Sequence, residues 1–331
     1  MEYSHKTKRQ ALVLEGGNIK LKNDETLPLK DKEVLIKVAY APITNFDKSC
    51  LSLSQECEGR IFGSEGSGII QQVGKGVDSS LKGRKVAFCH DAWSQYVVKD
   101  VDQLLVFDDK VDLRMAATSV INPLTALCLK YMMLDKGQDS FIFFGANSTL
   151  GHILMKIAIR KGLKPIGIVQ DKKQLQELKK DLNIDESQLL ACDDSEFDKR
   201  FKSLLSTFKS HYLIDAVGSD YSGLLFERMP ASSEMILLGN LSNQSLRLNP
   251  TEFFMHNKRI RGFNLNDYMR SELSEERRKL MMGIIVEDIN AGGEFFGASV
   301  AQEFRFAEEW SKAIEQVEKL QDQGKVLLSM Q

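Results

Sequence analysis

The sequence predicts an α/β protein of two domains: a many-stranded β domain, then a doubly wound parallel sheet. Three observations predict it. The chain has 331 residues, roughly twice the usual domain length. Between about Gln10 and Lys110 its apolar residues fall in short runs broken by Gly, Asp and Ser clusters, and no stretch keeps a helical period. From Leu113 the pattern changes to strand, glycine turn, helix and strand in alternation, the signature of βαβ units.

The runs ALVLEG, EVLIKVAYAPI, SGIIQQVG, KVAFC, SQYVVK and QLLVF supply the strands of the first domain. Residues 113–134 have helical composition interrupted by Pro123. Phe141–Phe144 reads as a buried strand that runs directly into Gly145–Gly151. His152–Lys161 reads as a helix with Ile153, Leu154, Ile157 and Ala158 inward, and Gly162 stands at its C-terminal cap. A strand at Pro165–Val169, a helix at Lys172–Leu182, and strands at Tyr212–Ala216 and Met235–Leu238 follow. Parallel strands joined this way take right-handed crossovers. After Gly262 come a charged helix at Ser271–Ile285, a turn at Gly292–Gly293 and a helix at Ala307–Leu320. The final GKVLLSM reads as a strand rejoining the first domain. These elements divide the chain into 1–120 with 266–331, and 121–265.

Forty-four Lys and Arg against 46 Asp and Glu give a net charge of −2, which excludes a whole-chain footprint for nucleic acid and gives no reason to expect a membrane surface. No apolar stretch reaches the roughly 18–20 residues of a membrane span. Cys50, Cys57, Cys89, Cys128 and Cys192 are odd in number and form no C-x-x-C pair, so they read as free thiols of a reducing compartment. The first residues lack the hydrophobic core of a secretory signal, which leaves cytoplasm and mitochondrial matrix both open. The charged segments 271–280 and 307–320 read as solvated helix faces.

The segment that carries chemistry is Phe143-Phe144-Gly145-Ala146-Asn147-Ser148-Thr149-Leu150-Gly151. A strand ending in a small-residue turn that opens a helix presents unpaired N–H groups and a positive helix end, which suits a pyrophosphate. Its spacing departs from G-x-G-x-x-G, because Thr149 stands where a glycine often permits close approach, and a tight turn with no ligand also fits. The next strand ends Val169-Gln170-Asp171-Lys172-Lys173. Two lysines favour the phosphorylated ribose of NADPH, while Asp171, 20 residues after Gly151, is the argument for NADH.

The order of the two domains resembles the medium-chain dehydrogenase/reductase superfamily, and several segments carry that resemblance. FGSEGSGIIQQVGKGVDSSLKGRKVAF (Phe62–Phe88) is similar to its Gly-Glu-Gly segment and following turns. INPLTAL (Ile121–Leu127) is similar to the helix entering the cofactor domain. DAVGS (Asp215–Ser219) and ILLGNLS (Ile236–Ser242) resemble strand ends lining the nicotinamide, Gly218 among them. IRGFNL (Ile260–Leu265) and the terminal GKVLL complete the set. The resemblance implies a GroES-like β-rich catalytic domain over 1–120 and 266–331 and a Rossmann NADP-binding domain over 121–265. Members often dimerise through the edge of the nucleotide-binding sheet, so it also implies a homodimer.

Within the superfamily, the zinc branch would need a His at Ser64 and a Cys near Thr44 or Asn45, and it lacks both here. Cys89 and His90 are two adjacent ligands only, so no zinc is expected. The zinc-free quinone oxidoreductases and 2-enoyl thioester reductases remain. Ala41–Asp47 (APITNFD) resembles the enoyl reductase segment A-P-I-N-P-S-D, and Val169–Lys172 (VQDK) resembles the V-R-D-R nucleotide motif. That match implies cofactor contacts at Asn122, Asn147, Ser148, Thr149, Leu150, Gln170, Asp171, Lys172, Leu238, Gly239, Asn240, Leu241, Phe263, Asn264, Leu265 and Lys325. Gly145, Gly151 and Lys173 join them from the turn and strand-end readings. The family's catalytic Tyr has no counterpart in Lys48–Gln55, and Asn264 replaces a Trp.

The expected reaction is hydride transfer from NADPH to a conjugated small-molecule acceptor: a quinone, an enone or an enoyl thioester. Asn45, Asp47, Ser52 and Ser64 are the candidate pocket residues, and the proton donor is unassigned. The rival expectation is a catalytically silent, reductase-like accessory or scaffold subunit of a larger complex, with the mitochondrion left open as its place, that retains NADPH for stability.

Overall fold

Short apolar runs make most of the strands in the part of the chain that comes first. The computed structural model describes residues 6–52, 57–182, 185–320 and 323–331. The chain forms two compact units, Met1–Asn122 with Lys279–Gln331, and Pro123–Arg278.

In the first unit, β1 (Lys8–Glu15) and β2 (Asn18–Glu25) form an antiparallel hairpin. Its turn is Gly16-Gly17, with φ of +61° and +77°, the left-handed pair that a two-residue hairpin needs. The sequence pattern did not announce β2, because NIKLKNDE buries little and has only Ile19 and Leu21 as apolar residues. A seven-stranded sheet follows the order β14-β15-β3-β4-β5-β7, with β6 also pairing β3. Its strands are β3 (Glu33–Pro42), β4 (Glu65–Val73), β5 (Lys85–Cys89), β6 (Tyr96–Asp100), β7 (Leu105–Phe107), β14 (Val300–Arg305) and β15 (Lys325–Ser329). The terminal strand rejoins this unit as its sequence predicts, Leu327 pairing with Pro42 and Ser329 with Tyr40. Two short helices belong here: α1 (Asn45–Ser52) after β3, and α2 (Leu113–Ala116). Leu12, Ile36, Phe88, Trp93 and Leu328 lie in one buried cluster, each contributing about 1.5–3 kcal/mol by leaving water.

Helix α3 (Ile121–Asp135) carries the chain into the second unit. Pro123 falls in its first turn, where a missing N–H costs nothing, so the proline marks a helix start rather than an interruption. Then β8 (Ile142–Phe144), α4 (Thr149–Arg160), β9 (Ile166–Val169), α5 (Lys172–Asp181), β10 (Leu189–Ala191), α6 (Phe197–Phe208), β11 (Tyr212–Asp215), α7 (Asp220–Arg228), β12 (Glu234–Leu237), α8 (Thr251–Phe254) and β13 (Arg259–Gly262) succeed one another. The six strands form one sheet in the order β10-β9-β8-β11-β12-β13, every pair parallel. The winding reverses between β8 and β11, the switch point outside whose carboxyl ends such sheets bind ligands. The charged helix predicted as Ser271–Ile285 is instead α9 (Leu265–Ser271) and α10 (Glu275–Asn290). The chain re-enters the first unit within α10, at Lys279, and α11 (Phe306–Leu320) belongs to that unit.

Candidate active site

In the first unit the sequence Thr44-Asn45-Phe46-Asp47 makes a capping box at the start of α1. Asp47 Oδ2 accepts from Thr44 N at 2.8 Å, and Thr44 Oγ1 accepts from Asp47 N at 3.2 Å. The Thr44 hydroxyl donates to the same Oδ2 at 2.6 Å. Ser64, just before β4, adds its N–H to Oδ1 at 2.8 Å and its hydroxyl to Oδ2 at 3.2 Å, and the two hydroxyls lie 3.2 Å apart. Asp47 and Ser64 are each only 3% exposed. Burial pushes the Asp47 carboxyl up, against the bonds that favour its charge. The fold therefore brings together Asp47 and Ser64 of the candidates and adds Thr44. Asn45 is exposed at the first position of α1 and is not part of this set. The Ser52 side chain lies outside the described residues.

Thr44 and Ser64 are the positions where zinc ligands would stand, and their hydroxyls now serve a carboxylate. Among the described residues, no group of three or more His, Cys, Asp or Glu could hold a metal ion. All five cysteines are free, and burial pushes the thiols of Cys89, Cys128 and Cys192 up to about 12.

Glu65, next to Ser64, escaped the sequence reading as a site residue; the signal was an acid inside the small-residue run FGSEGSG. It is 0% exposed, and its Oε2 accepts from Val120 N at 3.0 Å and Ile121 N at 2.9 Å, the amides just before Asn122. Burial pushes its carboxyl from 4.5 up to about 7. Lys325 lies near it on β15, held below its usual range by burial, while Glu65 and Asp47 act in the opposite sense.

In the second unit the turn after β8 is shaped by glycine. Gly145 has φ +91°, and a Cβ on Gly151 would lie 2.4 Å from the Ala146 carbonyl oxygen, so α4 can start this close only with glycine there. Ser148 caps α4, its hydroxyl accepting from Gly151 N at 3.1 Å and its carbonyl from His152 N at 2.9 Å. Thr149 and Leu150 are the first two residues of the helix, so their amides are the ones a helix start offers to an anion. The helix therefore begins three residues earlier than expected, because Ser148 rather than Gly151 ends the turn. This arrangement fits a pyrophosphate: the cradle is backbone, and a side chain at Gly151 would fill it.

The neighbouring strand ends close on the same place. Asp215, 0% exposed, accepts from Val217 N at 2.9 Å and Gly218 N at 3.2 Å, which sets the turn after β11. Gly218 has φ +65° and lies against Asn240, while Leu241 N and Ser242 N bond to Ala216 O and Val217 O. Gly145 packs against Val217, so the ends of β8, β11 and β12 meet at the switch point. Leu238, Gly239, Asn240 and Leu241 follow β12, with Leu241 42% exposed. Phe263, Asn264 and Leu265 follow β13, and Asn264 caps α9 through Asp267 N at 3.2 Å. A depression of about 360 Å³ opens beside Phe263 and Asn264.

At the end of β9 the predicted residues divide. Asp171 is the N-cap of α5, its Oδ1 accepting from Gln174 N at 2.8 Å, so its carboxylate serves the helix. Gln170, Lys172 and Lys173 are exposed, and Lys172 lies 3.7 Å from Asp194.

Residues 30–105 match the alcohol dehydrogenase GroES-like domain. A mitochondrial enoyl-[acyl-carrier-protein] reductase of Dictyostelium discoideum is 24% identical over 289 residues, covering 84% of this chain and 80% of that one. Two solved structures share the fold. One is a putative NADPH:quinone reductase of Mesorhizobium loti, with TM-score 0.80 and 23% identity over 97% of this chain and 98% of that one. The fold is that of the medium-chain dehydrogenase/reductase superfamily. The other is Etr1p, a mitochondrial 2-enoyl thioester reductase of Candida tropicalis, in complex with NADP and crotonyl-CoA, with TM-score 0.74 and 17% identity over 98% of this chain and 100% of that one. In medium-chain dehydrogenase/reductase terms, the two units are the GroES-like domain and the Rossmann-like domain.

Proposed function

We propose that the protein is a zinc-independent, NADPH-dependent reductase that acts on a conjugated acceptor, an enoyl thioester, enone or quinone. The observation that carries this reading is the glycine-packed turn from β8 into α4 at the sheet's switch point, which leaves helix-start amides for a pyrophosphate. The relatives' names support the reductase class and a mitochondrial matrix location. The exposed edge of β13 would serve a homodimer.

The bound dinucleotide supplies a hydride at the nicotinamide C4. The amides of Asn147, Thr149 and Leu150 hold the pyrophosphate, and Gly145 and Gly151 keep the backbone close enough to do so. Gln170, Lys172 and Lys173 would hold the ribose phosphate of NADPH. Asp171 turns its Oδ1 to capping α5 rather than outward to ribose hydroxyls, which favours NADPH over NADH. Gly218, Leu238–Leu241 and Phe263–Leu265 would orient the nicotinamide end. The Thr44 and Ser64 hydroxyls both donate to Asp47, and one of them would have to turn from it to hold the acceptor's carbonyl. Protonation of the reduced acceptor then draws on this hydroxyl set or on water.

The test is oxidation of NADPH, followed by absorbance, with crotonyl-CoA, an enone and a quinone as acceptors. Turnover with one of them, lost on Gly151→Asp, supports the enzyme. The missing tyrosine favours a second reading, an accessory subunit that keeps NADPH for stability. Tight NADPH binding with no turnover on any acceptor would decide for it.

A further inference from the structure

We propose that Glu65 is the positioning acid of this site: one carboxyl oxygen fixes the start of α3 just before Asn122, and the other is where a proton is held and released. This rests on the reductase reading for its consequence, though not for its chemistry.

The geometry separates the two oxygens. Oε2 takes both Val120 N and Ile121 N, whereas Oε1 is buried and has no hydrogen-bond partner among the described residues. A carboxylate with one bare buried oxygen is costly, and a proton on that oxygen removes the charge. Its neighbour Asp47 differs, with four donors on its two oxygens, so two nearby buried carboxyls are unequally hydrogen-bonded. The groups around Glu65 are Asp47 at α1, Lys325 on β15 and the Cys89 thiol, paired with it on β5. On α2 the charge, Arg114, is bound to Glu303, and on β3 the Tyr40 ring lies under Arg114. Among the described residues, one cation, Lys325, therefore acts on both carboxyls, and Asp47 is the better hydrogen-bonded of them. Burial placing Glu65 at about 7 agrees with this division.

The ionised form holds the two amides by charge-assisted bonds, roughly twice as strong as neutral ones. Above neutrality the start of α3, and Asn122 with it, is held more firmly, and the proton leaves Oε1 to water.

The test uses the full chain. Infrared difference spectra between pH 6 and pH 8 should show the C=O stretch of a protonated carboxyl disappearing as pH rises, and E65Q should lack that band. The NADPH KM of the wild type should improve roughly fivefold across this window. E65Q should flatten the profile, since its amide oxygen still accepts both N–H groups, while E65A should raise KM at every pH. A band that persists in E65Q, or a wild-type pH profile in E65Q, overturns the proposal. Should E65Q fail to fold, K325M should move the band's loss to higher pH, and an unmoved band overturns the proposal equally. A wild type that shows the band but neither binds nor oxidises NADPH refutes the reductase reading alone.

Discussion

The turn after β8 in the second unit is held by its backbone, whereas the pocket after β3 in the first unit is held by side chains. In the turn, specificity of shape comes from what is missing: a Cβ at Gly151 has no room, and Gly145 adopts a φ that other residues avoid. In the pocket, shape comes from what is present, with Asp47 collecting two amides and two hydroxyls. The difference teaches where each half is fragile. Backbone sites break when atoms are added; side-chain sites break when they are removed.

The largest expected effect on cofactor binding follows from adding one. Gly151→Ala puts its methyl 2.4 Å from a backbone oxygen that cannot rotate away, so the turn itself must shift. NADPH affinity should fall by roughly a hundredfold, about 2.8 kcal/mol, read by fluorescence titration with circular dichroism as the control for folding. An affinity within threefold of wild type would mean that the turn does not bind the cofactor.

Removing atoms from the pocket should show the opposite profile. Asp47→Ala leaves two buried amides and two hydroxyls without an acceptor, which should cost on the order of 3–4 kcal/mol of stability in urea unfolding. NADPH affinity, set by the turn, should change far less. A loss of cofactor affinity as large as that of Gly151→Ala would erase the distinction between the halves.

Glu65 sharpens it further, because its effect depends on pH. Its carboxyl rises from 4.5 unfolded to about 7 folded. A raised pKa means that the folded state holds the proton longer, so the group's relative stability is full below about 4.5 and is lost as pH rises to about 7. The loss across that window should be about 3 kcal/mol. E65Q should remove this slope and be more stable than wild type at pH 8. An unfolding midpoint that falls equally in both proteins between pH 5 and 8 would assign the slope to other groups.

How much of this could be read in the sequence follows the same division. The shape of the turn after β8 was legible because glycine and cap residues act locally, and Phe141–Gly151 contains nearly all of its own causes. The terminal strand was legible because Val326–Leu328 had no other apolar run to join in its own neighbourhood. The pocket was only half legible. Asp47 and Ser64 could be named, but Thr44 entered only as an absent ligand, because its bond to Ser64 spans 20 residues and a register between two elements. Glu65 was missed because its partners, Val120 and Ile121, lie more than 50 residues away and contribute amides, which have no sequence signature. Asp171 was weighed as a ribose ligand, and local chemistry claimed it first: Asp three residues before Gln174 is a helix cap.

Charge at the end of β9 tests the nucleotide half more gently. Lys172 and Lys173 are exposed, so water screens them and each interaction with a phosphate is weak. Replacing both with Glu should raise the NADPH KM about tenfold while leaving that for NADH within about twofold. Added salt should shrink the difference. Equal effects on the two nucleotides would place these lysines away from the ribose phosphate.

The smallest effect is expected where the two modes of construction meet, at Ser148. It is a side chain, yet its role is to finish the backbone cradle by accepting from Gly151 N at 3.1 Å. Ser148→Ala removes that acceptor without adding bulk, so the turn keeps its shape and α4 loses one cap, about 1 kcal/mol in unfolding. The freed amide then competes for the pyrophosphate, which offsets the loss when the nucleotide is bound. The variant should therefore be measurably destabilised alone and nearly wild-type in the presence of saturating NADPH. A deficit that persists undiminished with NADPH would show that the Gly151 amide does not face the phosphate, and the cradle would have to be drawn from Thr149 and Leu150 alone.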